Sequence, residues 1–139
     1  MIDTKDLAEK REELQTDLVN SFNDYFDTEI EDFDELIKHI DDSENEDVQE
    51  WKEDNSDDFD HIEEIDYIED NVSGFSFGAT LILEDEFEDY CKDLVEDCYD
   101  LGNVPGFIKD KINWRGIASD LSVDYSEIKY QGESYLVRA

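Results

Sequence analysis

The chain has 139 residues, with 43 Asp and Glu against 11 Lys and Arg and a formal charge of −32, a length that fits one domain or two small modules. So few cations cannot neutralise nucleic-acid phosphates or meet an anionic membrane surface, and no apolar run approaches the roughly 18 residues of a membrane span. Apolar residues nevertheless make up 38% and aromatics 12%, too many for an acidic disordered tail, so the composition predicts a folded chain that must overcome strong self-repulsion.

Residues 4–26 carry an i+4 row of Leu14, Leu18, Phe22 and Phe26, with Leu7 and Val19 beside it. This predicts a long amphipathic helix, capped by Asp3 or Thr4. Ile30, Phe33, Leu36, Ile37 and Ile40 predict a second, shorter helix. Residues 41–70 are the acidic centre, with 16 Asp and Glu and a single basic residue, Lys52. Phe59, Ile62, Ile65 and Ile68 recur every three residues there, which predicts one helix with a narrow buried stripe. Asn55-Ser56-Asp57-Asp58 reads as the break and cap before it.

From residue 73 to 83, Phe75, Phe77, Ala79, Leu81 and Leu83 alternate with Ser76, Gly78, Thr80 and Ile82, a period of two that predicts a strand. Phe87, Tyr90, Cys91, Leu94, Val95 and Cys98 then follow helical spacing, with Gly102 placed to end the helix. Pro105 opens a short helix with Phe107, Ile108 and Ile112. Asn113 caps another with Trp114, Ile117, Ala118 and Leu121. Ile128 and Tyr130, then Tyr135 and Val137, flank Gln131–Ser134 and predict a hairpin. The expected fold class is therefore α+β: a mostly helical acidic region over residues 1–72, then an α+β module over residues 73–139 with a small antiparallel sheet and a C-terminal hairpin. Charge is uneven. Residues 1–85 hold 31 acidic and 5 basic residues, net −26, and residues 86–139 hold 12 and 6, net −6.

Sites for chemistry are few. Cys91 and Cys98 lie two helical turns apart, too far for a disulfide, and both read as core thiols in a reducing compartment. His39 and His61 have no His or Cys at ligand spacing. The acidic series from Asp42 ends at Glu53 as a calcium loop would, but its sixth position is Asp47 rather than Gly. No catalytic constellation, glycine-rich phosphate loop, metal site or cofactor site is expected. The start Met1–Asp6 has neither the basic beginning nor the apolar core of a signal peptide, and the cytoplasm (the host cell's, for a phage protein) is the expected compartment.

The field is what remains. Duplex DNA carries one charge per about 1.7 Å of axis, so 32 charges correspond to roughly 54 Å, or about 16 base pairs. Two chains of about 14 Å radius of gyration placed end to end would span a comparable length. A protein with a basic DNA groove would be steered to such a surface. The candidate partner-binding carboxylates are Asp41, Asp42, Glu44, Glu46, Asp47, Glu50, Glu53, Asp54, Asp57, Asp58, Asp60, Glu63, Glu64, Asp66, Glu69 and Asp70. Phe22, Tyr25, Phe26, Phe33, Trp51, Phe59 and Tyr67, interleaved with acids, are anchors for the core or for an interface.

The run Val104-Pro105-Gly106-Phe107-Ile108-Lys109-Asp110-Lys111-Ile112-Asn113-Trp114-Arg115-Gly116-Ile117-Ala118-Ser119-Asp120-Leu121, continued by Asp124-Tyr125, Gly132 and Tyr135, resembles the C-terminal end of the ArdA antirestriction family. Ile112-Asn113-Trp114 stands where that family has Ile-Asp-Trp or Ile-Asp-Tyr, and Ala118, Asp120 and Leu121 match its A-x-D-L. The resemblance covers residues 86–139. It implies a DNA mimic, usually dimeric, that occupies the DNA-binding site of type I restriction–modification enzymes. The matched residues would serve fold and dimerisation, and the dispersed carboxylates would make the contact. The expected partner is thus a basic DNA-binding defence protein, with no nucleic acid, no membrane, and a homodimer as one possible assembly. The alternatives are an acidic chaperone, an inhibitor of another basic nucleic-acid-binding protein such as a CRISPR effector or a nucleoid protein, and a halophilic acidic domain.

Overall fold

The computed structural model describes residues 1–99 and 102–138. The fold is α+β and falls into two compact units. One is Lys5–Asn71, and the other combines Met1–Thr4 with the chain from Val72 onwards.

The first unit is helical. α1 spans Thr4–Phe26, α2 Phe33–Asp42, α3 Glu46–Asp54 and α4 Ser56–Asn71. The i+4 row of α1 is buried at Leu14, Leu18 and Phe22, and Leu36 and Ile40 of α2, Val48 and Trp51 of α3, and Phe59, Ile62, Ile65 and Ile68 of α4 complete the core. Its aromatic centre runs edge to face: the rings of Phe22 and Trp51 lie 5.0 Å apart, and those of Trp51 and Phe59 6.0 Å. The turn after α1 is held by Asn23. Its Oδ1 accepts from Thr28 Oγ1 and Ile30 N–H, and its Nδ2 donates to the Ile30 carbonyl. Asp32 caps α2 by accepting from Glu35 N–H, and Asn45 caps α3 by accepting from Asp47 N–H. Asn55 serves two helices: its Nδ2 donates back to the Trp51 carbonyl, while its own carbonyl accepts from Asp58 and Phe59. The break expected at 55–58 is therefore a single-residue hinge.

The second unit holds a four-stranded antiparallel sheet, β1 Ile2–Asp3, β2 Thr80–Leu83, β3 Tyr125–Tyr130 and β4 Glu133–Arg138, in the order β1-β2-β4-β3. Its helices are α5 Phe87–Cys98, α6 Gly106–Lys109 and α7 Trp114–Leu121. Ile82, Phe87, Cys91 and Ala118 form a buried cluster flanked by Tyr90, Leu121, Tyr125 and Leu136, which packs α5 and α7 on one sheet face. The hairpin residues Ile128, Tyr130, Tyr135 and Val137 are all buried. The β3–β4 turn is two residues, Gln131 and Gly132, both at positive φ, as a type I′ turn requires.

Four expectations are corrected. The strand expected over 73–83 exists only at Thr80–Leu83. Phe75–Phe77 is a 3-10 turn between Gly74 and Gly78, both left-handed, and a left-handed residue on each side cannot continue a pleat, so Phe77 is left exposed. The N-terminus is not simply a cap. Ile2 and Asp3 pair with Leu81 and Thr80. The Thr4 hydroxyl donates to the Phe75 carbonyl and accepts from Ala79 N–H. Cys98 is exposed while Cys91 is buried, and both are free thiols, because the second half of the α5 stripe (Leu94, Val95, Cys98) is not covered as the first half is. Phe107 and Ile108 of the helix after Pro105 are likewise exposed, and that helix stops at Lys109, before Ile112. The α5 helix ends at Cys98, and residues 100 and 101, just before Gly102, lie outside the described residues.

Candidate partner-binding surface

The acidic centre is ordered helix with carboxylates turned outward. Asp41 and Asp42 close α2. Glu44 lies between α2 and α3. Glu46, Asp47, Glu50, Glu53 and Asp54 are on α3, and Asp57, Asp58, Asp60, Glu63, Glu64, Asp66, Glu69 and Asp70 are on α4. Fourteen of these sixteen are exposed, and only Asp58 and Glu64 are half-buried. The cause is the apolar stripe. Burying Val48, Trp51, Phe59, Ile62, Ile65 and Ile68 leaves the remaining helix faces to solvent, and the sequence supplies almost only Asp and Glu for them. On α4 the stripe advances three residues at a time, or about 300°, so it precesses by about 60° per step. The carboxylate face turns with it, so α4 presents acid around much of its girth.

α4 has 16 residues, an axial length of about 24 Å. Two of its eight carboxylates, Asp66 and Glu69, are met by Arg11. Arg11 of α1 donates through Nη1 to Asp66 Oδ1 at 2.6 Å and through Nη2 to Glu69 Oε2 at 3.0 Å. Burial works against the charge on Arg11, and its bonds to Glu69 and Asp66 outweigh that, holding the guanidinium above its ordinary pKa. Counted against Arg11 alone, the eight carboxylates leave one negative charge per about 3.4 Å of axis, the spacing of one strand of B-DNA. Neighbours at i, i+3 and i+4, such as Asp60, Glu63 and Glu64, stand about 5–6 Å apart at Cβ. A cleft of about 410 Å³ gathers Glu53 of α3 with Asp60 and Glu63 of α4 over the Phe59 ring, with Lys52 at its side.

Among the aromatics, Phe22, Trp51 and Phe59 are core, Phe26 and Phe33 are half-buried, and Tyr25 and Tyr67 stand out in solvent. Tyr67 lies among the α4 carboxylates. His39 rests edge-on against Phe22 at 5.4 Å. Among the described residues, no group of three or more His, Cys, Asp or Glu is arranged to hold a metal, and no helix is long and apolar enough to cross a membrane. The Arg11 clamp was not visible in the sequence, because its partners lie 55 and 58 positions away. Its one signal is the gathering of three of the five cations of Lys5–Asn71 (Lys5, Lys10 and Arg11) in the first turns of α1. Counted by unit, Lys5–Asn71 carries 28 acidic and 5 basic residues, net −23, and the remainder 15 and 6, net −9. No protein-family model, curated protein or solved structure matches the chain.

Proposed function

We propose that this chain is a DNA mimic that inhibits a host DNA-binding defence enzyme, with type I restriction–modification complexes as the leading target, and that it acts by occupying the DNA-binding groove without catalysis. The observation that supports this reading best is the strand-like charge density on α4, carried by an ordered helix with a buried apolar stripe. A basic groove built to read phosphates at one charge per about 3.4 Å meets the same field there. Concentrating the charge in Lys5–Asn71 favours this reading over a uniform halophilic surface, since the sheet unit is far less acidic.

The test is competition. A purified type I restriction–modification complex is bound to labelled duplex, and the chain is titrated in at several salt concentrations. Displacement of DNA is expected, with affinity falling steeply and linearly in log affinity against log salt, as for DNA itself. Equal affinity for several unrelated basic proteins would instead make it an acidic chaperone. Failure to displace DNA from any such complex at low salt would overturn the proposal. Because the charge is spread, Asp57→Asn or Glu63→Gln alone should change affinity less than about threefold. Neutralising Asp54, Asp57, Asp60 and Glu63 together should cost at least about tenfold, consistent with four phosphate-like contacts.

A further inference from the structure

An α-helix turns about 100° per residue, so the direction of each α4 side chain around the axis follows from its number. The buried stripe Phe59, Ile62, Ile65 and Ile68 sweeps about 180° of that circle, and Tyr67 points within about 10° of the direction opposite its middle. Asp60, Glu63 and Asp70 fall within about 60° of Tyr67. Asp66 and Glu69, which Arg11 holds, lie about 100° or more away. The Tyr67 face is therefore the side of α4 turned most squarely to solvent, and Arg11 leaves it un-neutralised. Among the described residues, no ion pair engages Asp60, Glu63 or Asp70.

Tyr67 is out of place on that face by composition. From Asp57 to Asp70 every exposed residue but one is a carboxylate, and the exception is Tyr67. Its side chain is 60% exposed, so it adds little to the core. Asn71 Nδ2 donates to the Tyr67 carbonyl at 2.8 Å, which fixes the backbone that carries the ring. Glu63 and Asp70, at i−4 and i+3, stand about 5–6 Å from it at Cβ, one on each side along the helix.

We propose that Tyr67 is an arginine-selecting residue: a guanidinium of the partner lies on its ring and donates from its edge to Glu63 and Asp70. This rests on the reading of α4 as the surface offered to a basic groove, and it names the side chain in that groove. A guanidinium is planar and weakly hydrated, so it can stack on a ring while donating in its own plane. A lysine ammonium is a strongly hydrated point charge, which suits the carboxylates but uses the ring less well. A phosphate accepts from the edge of a guanidinium and offers nothing to its face. The ring thus adds, to a field that any cation feels, a place that arginine fills better than lysine.

The experiment titrates the full chain with tetra-arginine and with tetra-lysine, equal in charge, at about 0.1 M salt. Calorimetry reads affinity, and the NMR signals of labelled tyrosine rings read location. Tetra-arginine should bind about threefold tighter than tetra-lysine, and it should move the Tyr67 ring signals. Tyr67→Phe should keep the preference. Tyr67→Leu should remove it while leaving tetra-lysine affinity within about twofold, because no charge has changed. Tyr25→Leu should leave the preference intact, although Tyr25 is 70% exposed, because its ring already stands edge-on to Phe26. Equal affinity for the two peptides overturns the proposal, as does a preference that survives Tyr67→Leu or a Tyr67 ring that does not respond. If parent and Tyr67→Leu displace DNA from the restriction–modification complex equally well, the mimic reading stands and this one falls. If the parent displaces no DNA yet shows the peptide preference and loses it in Tyr67→Leu, the choice of enzyme falls and this one stands.

Discussion

The Thr4 hydroxyl does more than its size suggests. It is fully buried, donates to the Phe75 carbonyl at 2.8 Å and accepts from Ala79 N–H at 2.8 Å. Thr4→Val keeps the shape and orphans two backbone groups, so it should cost about 1–3 kcal/mol in urea denaturation, while Thr4→Ser should recover most of that. Arg11 contrasts with it. Its partners Asp66 and Glu69 are about half exposed, so Arg11→Met should cost only about 1 kcal/mol, and the difference from the parent should shrink in high salt. The two thiols should separate in alkylation: Cys98 reacts in the folded protein, and Cys91 only as the protein opens. Burial pushes the Cys91 thiol pKa up, and it does the same to the Tyr125 and Tyr135 hydroxyls. Each group is therefore held protonated by folding. The stability it contributes is present below its ordinary range and fades as pH rises through the raised value. The urea midpoint should fall as pH is taken from about 8 to 10.5, across the ordinary thiol and phenol ranges.

At the scale of elements, what could be read from the sequence divides by how local the cause is. The β3–β4 hairpin was legible because period-two burial and Gln131-Gly132 agree, and Gly132 at φ 79° is the position where a Cβ is strained. Gly132→Ala should cost about 1 kcal/mol, seen as a lowered melting temperature. α5 was legible from the helical spacing of its apolar residues, though only its first half is buried. β1 was not, because two residues carry no period and their partners lie nearly 80 positions on. The alternation over 73–83 misled because positive φ at Gly74 and Gly78 overrides a pattern that counts only polarity. α3 was missed since Val48 and Trp51 alone mark its stripe.

For the whole molecule, burial of the stripe explains why fourteen of the sixteen carboxylates of residues 41–70 face water. What composition could not give is their spacing along a helix, or the pairing of Arg11 with Asp66 and Glu69. The repulsion stored in −32 charges should make the folded chain more stable in salt. A rise in the urea midpoint between about 0.02 and 0.5 M NaCl checks this, and a flat response would mean that the carboxylates sit too far apart to feel one another.

The sheet unit is interrupted: the chain leaves it after Thr4 and returns at Val72, with Thr4 hydrogen-bonded to Phe75 and Ala79 at the point of return. The acidic helices are thus an excursion closed at its base. The entropy of closing such an excursion grows only with the logarithm of its length, about 0.6 kcal/mol per doubling. Lengthening or trimming the charged helices therefore leaves the sheet almost indifferent, and the extent of the negative display is a dimension that evolution or an engineer can vary without rebuilding the scaffold that carries it.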